Sequence, residues 1–345
     1  MKLNPRLPFR ILVTRTDRLG DVILATPVLS ALKKIHPAAE IFFLVQKSWM
    51  PVLQYQNAIQ LIEYDPNESV KALSQKLRGY GFNRCYVLRD EKKVSRAVWQ
   101  AGIPERIGPY STLRSFLFFN RGKLQSRARC KMHEAEYNLD LLTSIRPASG
   151  ADELPRAWIA TNAAAQESAE QFLEKENLKP KSFFVIHPGS SGSARYVKQT
   201  ELHRLARALI YRGNAVCVSG GPAEDTLIDE FVKAVPNVHV LAKQNALGLD
   251  GMAEVYRLSL AVIAHGTGPL HLAAAVGTPV LAIFSPIFVL SEKRWGPLVS
   301  KRSVWTPPDV FCPAVYRCIG EKCEYYDCMD RFSIDEAIKR LEKIT

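Results

Sequence analysis

No apolar run in the 345-residue chain approaches the roughly 20 residues that span a bilayer, so the sequence predicts no membrane-crossing helix. The N-terminus has only a short apolar run before charges return, which is not the pattern of a signal peptide, so a cytoplasmic protein is expected. Cys-x-x-Cys is missing, and seven cysteines are an odd count, so a secreted disulfide framework is not indicated. Neither GxGxxG nor GxxxxGK[ST] occurs, which argues against a dinucleotide oxidoreductase. Acids are also short: 34 Asp and Glu against 46 Lys and Arg leave a formal net charge of +12. That excess implies anionic partners, whether a phosphorylated substrate, nucleic acid or an acidic membrane face. The remaining composition, 47% hydrophobic and 23% charged, is that of a soluble globular chain long enough for two domains.

The most informative stretch is 260–286, LAVIAHGTGPLHLAAAVGTPVLAIFSP. It reads as a buried parallel strand, a small-residue loop, a short helix and a second strand. Pro269 suits the first helical turn, and Gly277 with Pro279 stops the helix. Such a loop directs free backbone N–H groups and the positive end of a helix dipole at one point, where a phosphate binds well. His271 can add a ring N–H. The same residues also suit a plain βαβ turn with a core histidine.

The rest of the chain alternates short apolar strands with amphipathic helices, which predicts a doubly wound parallel α/β sheet. A strand is predicted at 10–14, a helix from Asp21 to about His36 with a kink at Pro27, and further strands at 41–45, 59–63 and 85–88. Residues 111–132 differ: Arg114, Arg121, Lys123, Arg127, Arg129 and Lys131 stand there without an acid, around Phe116-Leu117-Phe118-Phe119. These cations suit an anionic surface, and the phenylalanines suit the core. His133-Glu134 opens a helix, and 146–180 reads as a domain boundary.

The strand–helix pattern restarts at 182–186. His187-Pro188-Gly189-Ser190-Ser191-Gly192-Ser193-Ala194-Arg195 follows a strand and offers hydroxyls and an arginine to phosphate oxygens. A third glycine loop, 220–225, follows the strand at 215–219. In a doubly wound sheet these loops share the edge beyond the carboxyl ends of the strands, which favours a nucleotide site. Cys312, Cys318, Cys323 and Cys328 crowd the tail at spacings loose for zinc, so zinc, pairing and free thiols all remain open. Residues 332–344 read as a basic amphipathic helix.

Arg15 through Leu29, HEAEYNLDLL at 133–142, HPGSS at 187–191, GGPAE at 220–224 and TGPLHLAAAVGTP at 267–279 together resemble glycosyltransferase family 9, the bacterial ADP-heptose:lipopolysaccharide heptosyltransferases. The resemblance implies a GT-B architecture, two Rossmann-like domains facing a cleft. It places an acceptor domain at 1–155 and a nucleotide-sugar domain at 156–331, with the helix at 332–345 returning to pack on the first. It implies inverting, metal-independent transfer of a heptose from ADP-heptose to a lipopolysaccharide core acceptor, with no cofactor and Asp21 as general base. Ser190, Ser191, Arg195, Thr267, Gly268 and His271 would hold the diphosphate, and Glu224, Leu247 and Leu249 the nucleoside. Arg15, Arg18, Lys131, His133 and Glu134 would meet a phosphorylated glycolipid or glycan acceptor, with the protein peripheral on the cytoplasmic face of the inner membrane.

Two departures stand out. Gly266 takes the place of an acid in the family's N-D-T-G-P, which opens the choice of donor sugar. Arg195 replaces a lysine. Another nucleotide sugar or surface glycan is therefore the nearest alternative. A non-catalytic binder of nucleic acid, with steeply salt-dependent affinity, is the alternative from another class; the resemblance itself implies no nucleic acid.

Overall fold

In the computed structural model, residues 8–142, 156–190, 194–221, 223–241 and 247–345 are described. The chain divides into two units. One holds the described residues within Met1–Arg127 and Glu134–Ala160, and the other those within Ala128–His133 and Thr161–Thr345. The short segment Ala128–His133 thus belongs with the second unit, which a single predicted boundary near 155 does not anticipate.

The first unit contains β1 (Arg10–Thr14), α1 (Leu19–Ile23), α2 (Thr26–Ile35), β2 (Glu40–Gln46), β3 (Ile59–Tyr64), α3 (Val70–Gly79) and β4 (Arg84–Val87). It continues with α4 (Lys92–Gln100), β5 (Glu105–Pro109), α5 (Ser115–Phe118), β6 (Arg121–Lys123) and α6 (Glu134–Asp140). Its strands form a parallel sheet in the order β3-β2-β1-β4-β5-β6. Ile11, Leu12 and Val13 of β1 are fully buried, as expected of a central strand covered on both faces.

The second unit contains α7 (Ala163–Lys175), β7 (Phe183–His187), α8 (Gln199–Tyr211), β8 (Ala215–Ser219), α9 (Asp225–Ala234), β9 (His239–Leu241) and α10 (Gly248–Leu258). It ends with β10 (Ala261–His265), α11 (Gly268–Ala275), β11 (Val280–Ile283), α12 (Glu292–Trp295), β12 (Arg302–Trp305) and α13 (Ile334–Glu342). Its parallel sheet runs β12-β11-β10-β7-β8-β9. Counted from its own first strand, this is the first sheet's order in mirror listing. Strand order therefore reverses beside β1 and β4 in one unit and beside β7 and β10 in the other. In open α/β sheets, ligands bind just beyond the carboxyl ends of such strands.

Three expectations are corrected. Pro27 does not kink one long helix: the helix breaks at Leu24 and Ala25, and Pro27 sits in the first turn of α2, where its missing N–H costs nothing. The break frees the Leu24 carbonyl, which accepts instead from Asn138 Nδ2 at 3.1 Å. The last helix, expected to pack on the first domain, belongs to the second unit. Ala337, Ile338 and Leu341 of α13 bury in the core of the second unit with Ile283 and Trp305, and Phe332 meets Trp305 edge-on at 5.0 Å. In the basic stretch, Phe119 is core, whereas Phe116 and Leu117 are 56% and 72% exposed. Its cations are engaged with acids: Arg114 pairs with Asp90, Arg121 with Glu105, Lys123 with Asp140 and Arg127 with Glu134. Of the boundary predicted at 146–180, residues 146–155 lie outside the described residues, and α7 falls within the rest.

Candidate active site

In the first unit the chain leaves β1 into a loop at 15–18, which is fixed from outside. Gln46 Nε2 donates to the carbonyls of Thr16 (2.6 Å) and Asp17 (3.2 Å), and Trp49 Nε1 donates to Asp17 O at 2.9 Å. The loop turns Arg15 inward, only 2% exposed. Its Nε donates to Asp17 Oδ1 (2.7 Å), one terminal nitrogen to Glu134 Oε1 (3.0 Å) and Asn138 Oδ1 (3.1 Å), and the other to Asp21 Oδ1. Arg127 donates to the same Glu134 oxygen and to the Leu88 carbonyl at the end of β4. Arg89 reaches Asp17 Oδ2 at 3.1 Å. Three arginines and three acids thus lock the carboxyl ends of β1 and β4 to α1 and α6.

The three acids are not equivalent. Glu134 is fully buried, Asp17 is 10% exposed and Asp21 is 15% exposed. Burial opposes ionisation of Asp17, but Arg15 and Arg89 outweigh it and hold that carboxyl below its usual value. Asp21 goes the other way. Burial raises it, Arg15 pulls it down, and the like charges of Asp17 and Glu134 push it up again, to about 6. Asp21 is therefore the acid best matched to exchanging a proton near neutral pH.

In the second unit, β7 and β10 end in His187 and His265. His187 Nδ1 lies 3.2 Å from Ser219 Oγ, which lies 2.8 Å from the Tyr256 hydroxyl. Glu224 accepts from the Gly221 amide at 2.6 Å and stands 3.5 Å from His187 Nε2. It also fills the space over Gly189, where an added Cβ would lie 1.8 Å from its Oε1. Glycine at 189 is thus required by the close approach of an acid from the next loop.

Thr267 adopts extended backbone at the start of α11 without a side-chain cap, and Pro269 sits in the first turn. His271 and His265 are 3% and 1% exposed. Nδ1 of His271 and both ring nitrogens of His265 lack a hydrogen-bond partner among the described residues. Burial, with a neighbouring histidine in each case, lowers His265 to about 4 and His271 to about 3. Burial also lowers His187, against the pull of Glu224. All three are neutral near pH 7, so they offer ring N–H groups and not full charges. Neutral ring N–H groups beside an uncapped helix start are chemically suited to an anion.

The description glycosyltransferase family 9 (heptosyltransferase) matches residues 70–307. The chain belongs to glycosyltransferase family 9. It is 26% identical over 311 residues to a putative glycosyltransferase of Haemophilus influenzae, covering 87% of this chain and 89% of that one. The crystal structure of a family 9 glycosyltransferase from Veillonella parvula matches at a TM-score of 0.82 and 20% identity, covering 98% of both chains. The Escherichia coli ADP-heptose lps heptosyltransferase II matches at 0.76 and 20%, covering 97% of this chain and 98% of that one. These likenesses show the GT-B fold class, and the family makes the chain a glycosyltransferase.

Within this transferase the expected residues separate. Asp21, Arg15 and Glu134 come together; Arg15 and Glu134 are buried and paired with each other, and Arg15 also holds Asp21. Arg18 is exposed ahead of α1. Lys131 and His133 lie in the segment that joins the second unit, where His133 Nε2 is 2.9 Å from the Gly296 carbonyl. Ser190 is exposed and Ser191 lies outside the described residues. Leu247 and Leu249 are half-buried at the start of α10. Arg195 stacks on Tyr326 at 3.8 Å and lies 3.8 Å from Asp330, so as placed it serves the tail segment. Sequence reading passed over Asp17 and Asn138, and took Arg127 for a surface cation. Asn138 stands inside the quoted 133–142 motif, and its spacing of one helical turn from Glu134 was the available signal.

A pH profile tests the Asp21 assignment. Transfer measured as kcat/KM should fall as pH drops through about 6, because only ionised Asp21 accepts a proton. A profile flat down to pH 4.5 would remove Asp21 from that role.

Proposed function

We propose that this chain transfers a heptose from ADP-heptose to a lipopolysaccharide core acceptor, with inversion and without a metal ion in the reaction. Asp21 takes the proton from the acceptor hydroxyl as its oxygen attacks the anomeric carbon. The bond from that carbon to the diphosphate breaks, and ADP leaves with the electron pair. The amides at Thr267 and Gly268, the His271 ring and the hydroxyls of Ser190 and Ser191 meet the growing negative charge. Glu224, Leu247 and Leu249 flank the nucleoside. The observation that carries this reading is Asp21: a carboxyl raised to about 6 by burial, against the pull of Arg15, at the strand-order reversal of its sheet.

Removing one such donor typically costs about a hundredfold or more in kcat, so His271→Ala should lower kcat by roughly 10² while the chain stays folded. ADP release assayed across several nucleotide sugars tests the donor. Turnover confined to ADP-heptose is expected, and turnover only with another sugar would replace it. One observation favours that second reading. A Cβ at Gly266 would meet the buried Phe284 ring at 2.6 Å, so the loop has no room for the acid of N-D-T-G-P unless Phe284 moves.

No helix among the described residues is long and apolar enough to cross a membrane. Contact with the cytoplasmic face of the inner membrane is instead proposed through Leu113, Phe116, Leu117 and Leu124, which are exposed beside Arg114 and Arg121. Co-sedimentation with anionic vesicles, lost in Leu117→Glu, tests it.

A further inference from the structure

Four of the seven cysteines fall within 17 residues of the tail, and the proposed transfer uses none of them. Cys312, Cys318, Cys323 and Cys328 are free thiols, and all four line one cavity of about 10 Å³, walled by Ile287 and Val310. That is space for about one small atom. It is also a strange place for four sulfurs, since an apolar pocket of this size is filled more simply by one methyl group.

The local backbone adds a second observation. Between Cys318 and Cys323 the chain makes a tight turn over Gly320–Lys322, with Gly320 at a φ of +68°, a conformation that favours glycine. The Gly320 amide donates to Cys318 Sγ at 3.4 Å. An amide aimed at a sulfur is wasted on a neutral thiol and useful to a thiolate. Arg195 also lines the cavity and brings positive charge to the same place.

We propose that Cys312, Cys318, Cys323 and Cys328 form a closed tetrathiolate site for one divalent ion of the zinc or ferrous class. Four sulfur ligands select those metals over magnesium or calcium. Binding releases the thiol protons to solvent and transfers no electrons; the Gly320 amide and Arg195 offset the negative charge that remains. As placed, no three of these sulfurs are close enough together to hold one ion. Without an ion, four thiols have no attraction to a common centre. The segment holding them has only short single turns, and closing the site requires the four side chains to rotate about the cavity.

The site would pin the tail to two loops at the carboxyl edge of the second sheet. Arg195 follows β7, and Ser285, Pro286 and Ile287 follow β11. The ion is structural, and it stands apart from the transfer step.

The full chain, purified without a metal-chelating tag and under reducing conditions, is analysed for metals by plasma mass spectrometry. About one equivalent of zinc or iron per chain is expected, falling to near zero in Cys318→Ser/Cys323→Ser and unchanged in Cys217→Ser. Should the double variant not fold, thiol labelling of the wild-type chain decides: the four tail cysteines should resist alkylation until a chelator is added, then react. Cobalt reconstitution should give sulfur-to-cobalt charge-transfer absorption. The proposal is overturned by a folded, reduced chain that takes up neither zinc, iron nor cobalt. It is equally overturned by metal retained in the double variant, or by peptide mapping that finds these cysteines in disulfides. Metal content is read independently of transferase turnover, so failure of the donor assignment leaves this test intact.

Discussion

Asp21→Asn should lower kcat for transfer by about 10²–10⁴-fold, the usual contribution of a positioned general base, with donor affinity little changed. ADP release at saturating donor and acceptor measures it. Asparagine keeps the shape and an oxygen for Arg15 but has no site for a proton. The substitution should not unfold the protein. Asp21 is raised from 3.8 to about 6, so between those values the unfolded chain has released its proton while the folded chain still holds it. Stability contributed by this group therefore falls as pH rises through that window and stays low above about 6. A neutral side chain escapes that penalty, so the variant should be at least as stable as the parent at pH 7.5. Transfer within a few-fold of the parent would mean that another group takes the proton.

Glu134→Ala should be the most destabilising single change in the first unit. Its carboxylate has no exposure and accepts from both Arg15 and Arg127. Truncation leaves two guanidinium groups short of their shared acceptor. Breaking a buried pair from one side costs about 3–5 kcal/mol. For a unit of this size that is a drop of roughly 10 °C in Tm, read by calorimetry or circular dichroism. Glu134→Gln separates packing from charge. It keeps an acceptor oxygen, so the loss of stability should be smaller. It also removes a like charge that raises Asp21, so the acidic limb of the activity profile should move to lower pH. If Glu134→Ala melts with the parent, the ion-pair net does not hold the unit together.

Both predictions depend on contacts that are remote in sequence. Arg15 and Glu134 are 119 residues apart, and nothing in either neighbourhood specifies the partner. The strands with continuous apolar runs, such as RILVT and AVIAH, were legible because burial on both faces leaves a local signature. ERIGP, RGK and RSVW were not, because short strands toward a sheet's end carry too few apolar residues to register. Pro27 was legible as a helix breaker, but whether it bends one helix or begins another depended on Asn138 taking the freed carbonyl.

The amino-acid order alone determined the alternating α/β pattern, the glycine turns after the strands and the family motifs, because each is written within a few consecutive residues. Tertiary structure decided that Glu134 is a buried counter-ion, that Arg195 lies on Tyr326, that the four tail cysteines line one cavity and that burial raises Asp21 to about 6. Those properties come from desolvation and charge summed over neighbours brought together by folding, and such sums depend on distances in space that a linear order does not contain.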